Sequence, residues 1–556
     1  MKTQKNPAPI EVETYPIGVA SIVLSLLKRL GVAEIIDSVL THQPEIEASY
    51  GKLALVVILN RLSFDPQPLY ALRGWAERHG IDRLLGIEAA WLDDDRLGAL
   101  MEALAKHAVE IWVKVIGRAV KHFAIVLEWL HADTTSVYFE GRYEDEHGQP
   151  LQEANAPRLV EGYNKDGKPQ NVQLVLSLIT HKRLPLWYKP WDGNQSDDGV
   201  YLADLNGLRQ MGLALDNLVL VFDRKGCNRE TLLELCRTHQ GFLGAHPWTD
   251  TAKAAWERTW QELQTGQRKW LKADYVARND QRKPLAERPQ YRVCEISHEL
   301  KDTAQESSYP LRWVFSWNSN KAKLDARERQ KHIQAGEQAL QRVAHLLGKY
   351  DYTCRATILA RLLKALTQTH ASTYYKYALT GSDEKQDWQL SWSMSSDVVA
   401  QAERFDGVVL LCTNVPAARL SSDAVMKKYK EQVTVEQTFD FIKSPVQIRP
   451  MWLHSPQRIA GLTLLIMLAV LIAGLIEYQV RQKIAHNKKL LNGLMPENRD
   501  NPYPTAEKLL KAFQDYTIVL LRHSDGREEI LYPKLRPVQQ QILHMLAIPS
   551  IRPNPP

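Results

Sequence analysis

The chain has 556 residues, 44% of them apolar and 24% charged, close to soluble globular averages, which excludes wholesale disorder, collagen-like repeats and a polytopic membrane protein. Lys and Arg (70) outnumber Asp and Glu (64), and the net charge of +6 permits a polyanionic partner without requiring one. The length predicts about three to five domains. Five scattered cysteines without a CxxC pair argue for a reducing compartment and against a zinc ribbon.

Residues 1–14 read as a flexible tail with no apolar leader segment. Residues 15–121 read as a helical N-terminal domain. Apolar residues recur there at helical spacing, and LYALRGWAERHG ends in Gly80, a C-cap candidate. Segment 68–86 fits a helix-turn-helix or an ordinary helical hairpin. From residue 122 the texture changes. FAIVLEWLHAD and TTSVYFEG (123–141) read as two strands, and NVQLVLSLIT (171–180) as a third. A helix follows over 198–213. NLVLVFD (217–223) reads as a strand buried on both faces, because its apolar run does not alternate. A helix over 229–239 and a strand, GFLGAH (241–246), come next. Strands followed by strand–helix alternation predict an α/β fold, a mixed sheet with helices on its faces.

Residues 247–404 are dense in Trp, carry a basic helix over 321–349 and read as an inserted domain. GVVLLCTN (407–414) returns to strand, and a long helix is expected over 422–443. Residues 459–476 carry no charge and approach a membrane span in length, but read as a helix buried between sheet and helices. The remainder, 479–556, holds a hairpin signal around Asp525-Gly526, a short amphipathic helix over 537–546 and a Pro-rich tail.

Three carboxylates stand out by position. Asp133 and Asp223 end apolar strands, where open sheets place their sites. Alone, each reads first as a turn former or helix cap. Glu436 lies on the helix after a third strand. At about 100° per residue, Tyr429, Gln432, Glu436 and Lys443 fall within about 60° of one another, beside the apolar stripe of Val435, Phe439 and Ile442. A carboxylate at such a buried edge needs a partner or a metal. Three hard oxygen donors suit Mg²⁺ or Mn²⁺. Two such ions about 3.5–4 Å apart clamp the attacking and leaving oxygens of a phosphoryl displacement. No G-x-x-x-x-G-K-[ST] loop is present, so ATP hydrolysis is not expected. Arg224 and Lys225, directly after Asp223, are placed to meet a phosphate.

These residues resemble the bacterial DDE insertion-sequence transposases that carry a Y-(2)-R-(3)-E-(6)-K signature. Tyr429, Glu436 and Lys443 match at the right spacing, and Gln432 stands where Arg is usual. HADTTSVYFEG, EGYNKDGKPQNVQLVLSLIT, GN at 193–194, LVFDRKG, TNV at 413–415 and KSPVQIRPMWLHSPQRIAG resemble the family's other motifs in order. The resemblance implies an RNase H-like core in two parts, 122–246 and 405–478, interrupted by the insertion domain 247–404 and followed by a C-terminal extension. It implies cleavage at transposon ends and transfer of the 3′-hydroxyl into target DNA. Asp133, Asp223 and Glu436 would hold Mg²⁺, with Mn²⁺ an alternative and two ions per site. Tyr429, Gln432 and Lys443 would bind DNA, together with Arg224 and Lys225, Tyr429 and Lys443 through phosphates near the transposon end. A neutral amide at Gln432 cannot replace a guanidinium fork. Trp313 or Trp317 could stack on a flipped base, or fill the domain's own core. The partners implied are terminal inverted repeats, target DNA and further copies of the chain in a synaptic dimer or larger assembly, in the bacterial cytoplasm and not in a membrane. Two rivals are a nuclease of the same fold without strand transfer and a transposase-derived, non-catalytic DNA-binding protein.

Overall fold

A computed structural model describes residues 10–40, 48–196, 199–212, 217–444, 453–488, 490–495 and 501–549. Part of the expected motif after the glutamate helix, 445–452, and the Pro-rich end from 550 lie outside them. The chain forms two compact units. The first holds residues 1–226, 237–240 and 431–556, and the second 227–236 and 241–430.

The first unit opens on a strand where a tail was expected. β1 (Glu11–Tyr15) pairs antiparallel with Ile518–Arg522, which forms the expected hairpin with Glu528–Leu531. EVETY alternates charged and β-branched residues, a strand signal too short and polar to stand without its distant partner. At the hairpin tip Gly526 takes φ 83°, a left-handed conformation that glycine adopts without strain.

The N-terminal helices form as the periodicity predicts, and Gly80 caps Leu72–His79 with φ 63°. The helix after it, Ile81–Leu85, has only 5 residues. These helices are not a separate body; they share the first unit with strands of the sheet and the C-terminal segment. The reason is the apolar helix Pro456–Asn487. Its charge-free stretch, 459–476, is buried on all sides as expected, and the helix packs on Tyr50–Arg61, on the long helix Asp94–His122 and on a sheet strand. Gly461 sets the closest of these approaches, since a Cβ there would collide with the Met101 carbonyl. Gly461→Ala is therefore expected to destabilise this unit by about 1–3 kcal/mol, measurable as a lowered urea midpoint with an unchanged slope.

Four strands form this unit's part of the sheet: β2 (Trp129–Tyr138), β3 (Gln173–His181), β4 (Leu184–Trp191) and β5 (Val219–Phe222), in the order β4-β3-β2-β5. β3 runs antiparallel to β2 and β4, and β5 parallel to β2, so the sheet is mixed, as expected. The two strands expected over 123–141 are one. The long helix ends at Phe123, Ala124 turns with φ 45°, and the apolar residues that follow connect helix to strand. Asp133 consequently lies in mid-strand.

In the second unit, Gly241–Ala245, Val408–Thr413, Ser307–Asn318, Tyr291–Asp302 and Leu271–Ala273 run antiparallel in that order. The expected insertion thus extends a sheet shared with two expected core strands. The basic helix Ser319–Leu346 buries Ile333, Leu340 and Val343 against Ile358, Leu362 and Leu366 of Arg355–Gln368. Trp313 is buried and stacks on His298 at 3.7 Å; it fills the unit's core and is closed to a base. Trp317 is half-buried, with the Arg292 guanidinium 5.1 Å from its ring centre.

Candidate functional site

Sheet register brings the two aspartates together. The parallel ladder between β2 and β5 runs from Trp129 opposite Val219 to Ala132 opposite Phe222. Asp133 and Asp223 are the next residue on each strand, at the carboxyl end of the pair, where such sheets open a crevice. β2 continues past this point only because β3 still pairs with it. The chain leaves β5 in a turn that Asp223 itself builds. Its Oδ1 accepts the backbone N–H of Lys225 (3.0 Å) and Gly226 (3.3 Å) and the Tyr201 hydroxyl (2.8 Å). Asp223 is a turn former and a neighbour of Asp133 at once.

Asp133 is held in an unusual state. Burial pushes its carboxyl up to about 7; Lys165 opposes the shift, and the charges of Asp223 and Glu436 add to it. Lys165 enters from the segment after β2. Its Nζ donates to the Thr134 carbonyl (2.6 Å) and to Thr134 Oγ1 (3.0 Å). Sequence reasoning gave this lysine no role. It lies in the EGYNKDGKPQ stretch, and nothing in its spacing says that the segment folds back along β2.

The helix expected over 422–443 is two: Ser422–Lys430 in the second unit and Val433–Lys443 in the first. The break falls at Glu431-Gln432, so the rotation counted from Tyr429 to Glu436 does not carry across it. Tyr429 belongs to the second unit. Within Val433–Lys443 the apolar stripe is as expected, with Val435, Phe439 and Ile442 buried. Glu436 sits in the first turn, exposed, and has no hydrogen-bond or ion-pair partner among the described residues. Gln432 turns inward. It is 8% exposed, and its Nε2 donates 2.8 Å to the carbonyl of Ala132, the residue before Asp133. The side chain at the position where Arg is usual thus fastens the glutamate helix to the aspartate strand. Lys443, at the other end of the helix, pairs with Asp166 at 2.9 Å. Arg224 and Lys225 are exposed beside Asp223.

The charges of Asp223 and Glu436 both act on Asp133, and Lys165 opposes them. Hard oxygen donors of this kind fit a divalent cation. Among the described residues no group of three or more His, Cys, Asp or Glu side chains is arranged so that it could hold a metal ion, Asp133, Asp223 and Glu436 included. Mg²⁺ needs only one or two carboxylates and keeps several waters, so an open set suits it.

Comparison with known families gives two matches. A model described as a transposase DDE domain matches residues 132–472. One described as a domain of unknown function, DUF4277, matches residues 12–116. No curated protein matches the chain.

Proposed function

The chain belongs to the transposase DDE-domain family, whose core is RNase H-like and whose members use divalent metal ions, and from that premise we propose that it cuts DNA at transposon ends and joins the resulting 3′-hydroxyl to target DNA. The observation that carries the reading is the register that sets Asp133 beside Asp223, together with the influence of Glu436 on the same carboxyl. In this reading Asp133, Asp223 and Glu436 hold Mg²⁺ or Mn²⁺, two ions per site. The chemistry such ions supply is activation of a water or 3′-hydroxyl and neutralisation of charge on the phosphate.

The chain's own side chains divide the remaining work. Exposed Glu436 would be the third carboxylate to hold the metal. Arg224 and Lys225 lie where a phosphate at Asp223 would meet them. Lys443 exchanges Asp166 for a DNA phosphate, and Tyr429 contacts the DNA backbone. Gln432 acts through the peptide it grips and not on DNA. Two transposon ends must be joined, so the working form is a dimer or larger assembly of this chain on double-stranded DNA. The apolar helix Pro456–Asn487 is largely buried within the fold, as a core helix is, and a protein that works on DNA in this way belongs in the cytoplasm, with the nucleoid.

Gln432→Met keeps the side chain's length and removes its hydrogen bond. It is expected to weaken Mn²⁺ binding and Mg²⁺-dependent cleavage about 10- to 100-fold, the usual cost of losing an outer support of a metal ligand. DNA affinity should stay near that of the wild type. A variant with lowered DNA affinity and normal metal affinity would instead make Gln432 a phosphate contact. The whole reading is tested by incubating end-labelled DNA from either side of the reading frame with the protein and Mg²⁺. Nicking at one discrete position is the expected result, and specific binding without nicking would contradict it.

A further inference from the structure

Where the helices Tyr50–Arg61, Asp94–His122 and Pro456–Asn487 meet, a cavity of about 290 Å³ opens within the first unit. That size is at the small end of ligand pockets. Much of its wall is apolar, with Leu97, Met101 and Leu462 the buried side chains that line it. Its polar side chains are Arg61, Arg458 and two exposed ones, Tyr70 and Asp94.

Arg61 is out of keeping with these surroundings. It is the last residue of its helix and only 6% exposed. Among the described residues its guanidinium makes no hydrogen bond or ion pair, and Nε is sealed from water as well. Burial lowers its value only to about 10, so at neutral pH the side chain keeps its charge. A buried charge without a partner is costly, and a matching anion offsets that cost. Arg458 differs. Its Nε donates to Glu102 at 2.8 Å, and its guanidinium lies so close to Gly98 that a Cβ there would collide with it. With Arg458 matched by Glu102, one cation stands unmatched at the cavity. A monoanion balances it, whereas a dianion would bring surplus charge beside Asp94. The wall is also held in shape. The buried Asn60 amide sets its oxygen toward the Gln67 N–H (3.1 Å) and its nitrogen toward the Gln67 carbonyl (3.0 Å), which fixes the loop that brings Pro68 to the cavity.

We infer that this cavity binds a small monocarboxylate with an apolar body, its carboxylate on the Arg61 guanidinium and its carbon chain against Leu97, Met101 and Leu462. The planar fork of a guanidinium matches a carboxylate through two parallel hydrogen bonds. The inference is independent of the transposase reading, since Asp133, Asp223 and Glu436 take no part in lining this cavity.

The test uses the full-length protein without metal or DNA. The probes are straight-chain monocarboxylates from acetate to octanoate, followed by calorimetric titration and by melting temperature. Wild-type affinity is expected to rise about fourfold per added methylene until the chain outgrows the cavity, and each bound acid should raise the melting temperature. Alcohols of equal length should bind at least tenfold more weakly. Arg61→Met removes the charge and keeps much of the stem. Without ligand it should melt at or above the wild-type temperature, and it should bind the acids no better than the alcohols. Arg61→Lys, which keeps the charge without the fork, should retain part of the selectivity for acid over alcohol. Wild-type protein that bound no acid, or that bound acid and alcohol alike, would overturn the site, as would Arg61→Met binding the acids with wild-type affinity. Inorganic phosphate or flanking DNA bound by the wild type and lost in Arg61→Met, with no response to the acids, would make Arg61 a phosphate contact and overturn the carboxylate site.

Discussion

Asp133→Asn is expected to make the metal-free protein more stable at pH 8 while abolishing DNA cleavage. The stability gain follows from the Asp133 carboxyl, half-buried in its strand and desolvated by its surroundings. Its folded value is raised from 3.8 to about 7, so between about pH 4 and pH 7 the folded chain keeps a proton that the unfolded chain has released. Rising pH through that window removes stability, and above about pH 7 the full cost of a buried charge beside Asp223 and Glu436 is present. Asparagine has no charge to bury. The expected gain at pH 8 is about 2–4 kcal/mol, read as a melting temperature about 5 °C higher, and it should vanish near pH 4. Asp204, buried on the helix Val200–Gln210, is also pushed up to about 7 by burial. Asp133→Asn should therefore remove only part of the wild-type loss of stability with pH. Divalent metal should raise the wild-type melting temperature at pH 8 and leave the variant's unchanged, since binding to the folded state alone stabilises it. A variant that melted below the wild type at pH 8 would place Asp133 in a structural role.

Glu436→Gln should show the opposite balance. Glu436 is exposed and unpaired among the described residues, so its loss should change stability by no more than about 0.5 kcal/mol. Cleavage should fall about a thousandfold or more, because a ligand to the charge-stabilising metal is worth several kcal/mol in the transition state. DNA binding should persist, since the basic side chains remain. A variant with near-normal cleavage would remove Glu436 from the ligand set and leave the two aspartates as the whole of it.

Much of the sheet was legible because its strands are short apolar runs bounded by turn residues. β3, β5 and Val408–Thr413 form where those runs lie. Long-range order was not legible. β1 needs a partner about 500 residues away in sequence, and no local pattern reports that. The hairpin Tyr291–Asp302 and Ser307–Asn318 went unread because its exposed charges and its tryptophans mask the alternation of a half-buried strand. The helix over 422–443 breaks where periodicity runs on. Gln432 folds its amide under the break to reach the Ala132 carbonyl, a tertiary bond that outweighs helical continuity. Among the candidate residues, the strand end at Asp223 was legible, whereas Asp133 was expected at a strand end and lies in mid-strand; the parallel register of β2 and β5 sets the two side by side. The contacts of Lys165 and Asp166 depend on a segment folding back over β2, which only the three-dimensional arrangement reveals.

The most direct test is strand joining. An end-labelled fragment carrying the DNA beside the reading frame is incubated with the protein, Mg²⁺ and a supercoiled plasmid. Label should transfer covalently to the plasmid, with the joined strand beginning at the nicked 3′ end, and Glu436→Gln should yield neither nick nor joined product. Efficient nicking with no label on the plasmid would contradict transposition and make the protein a nuclease built on the same three carboxylates.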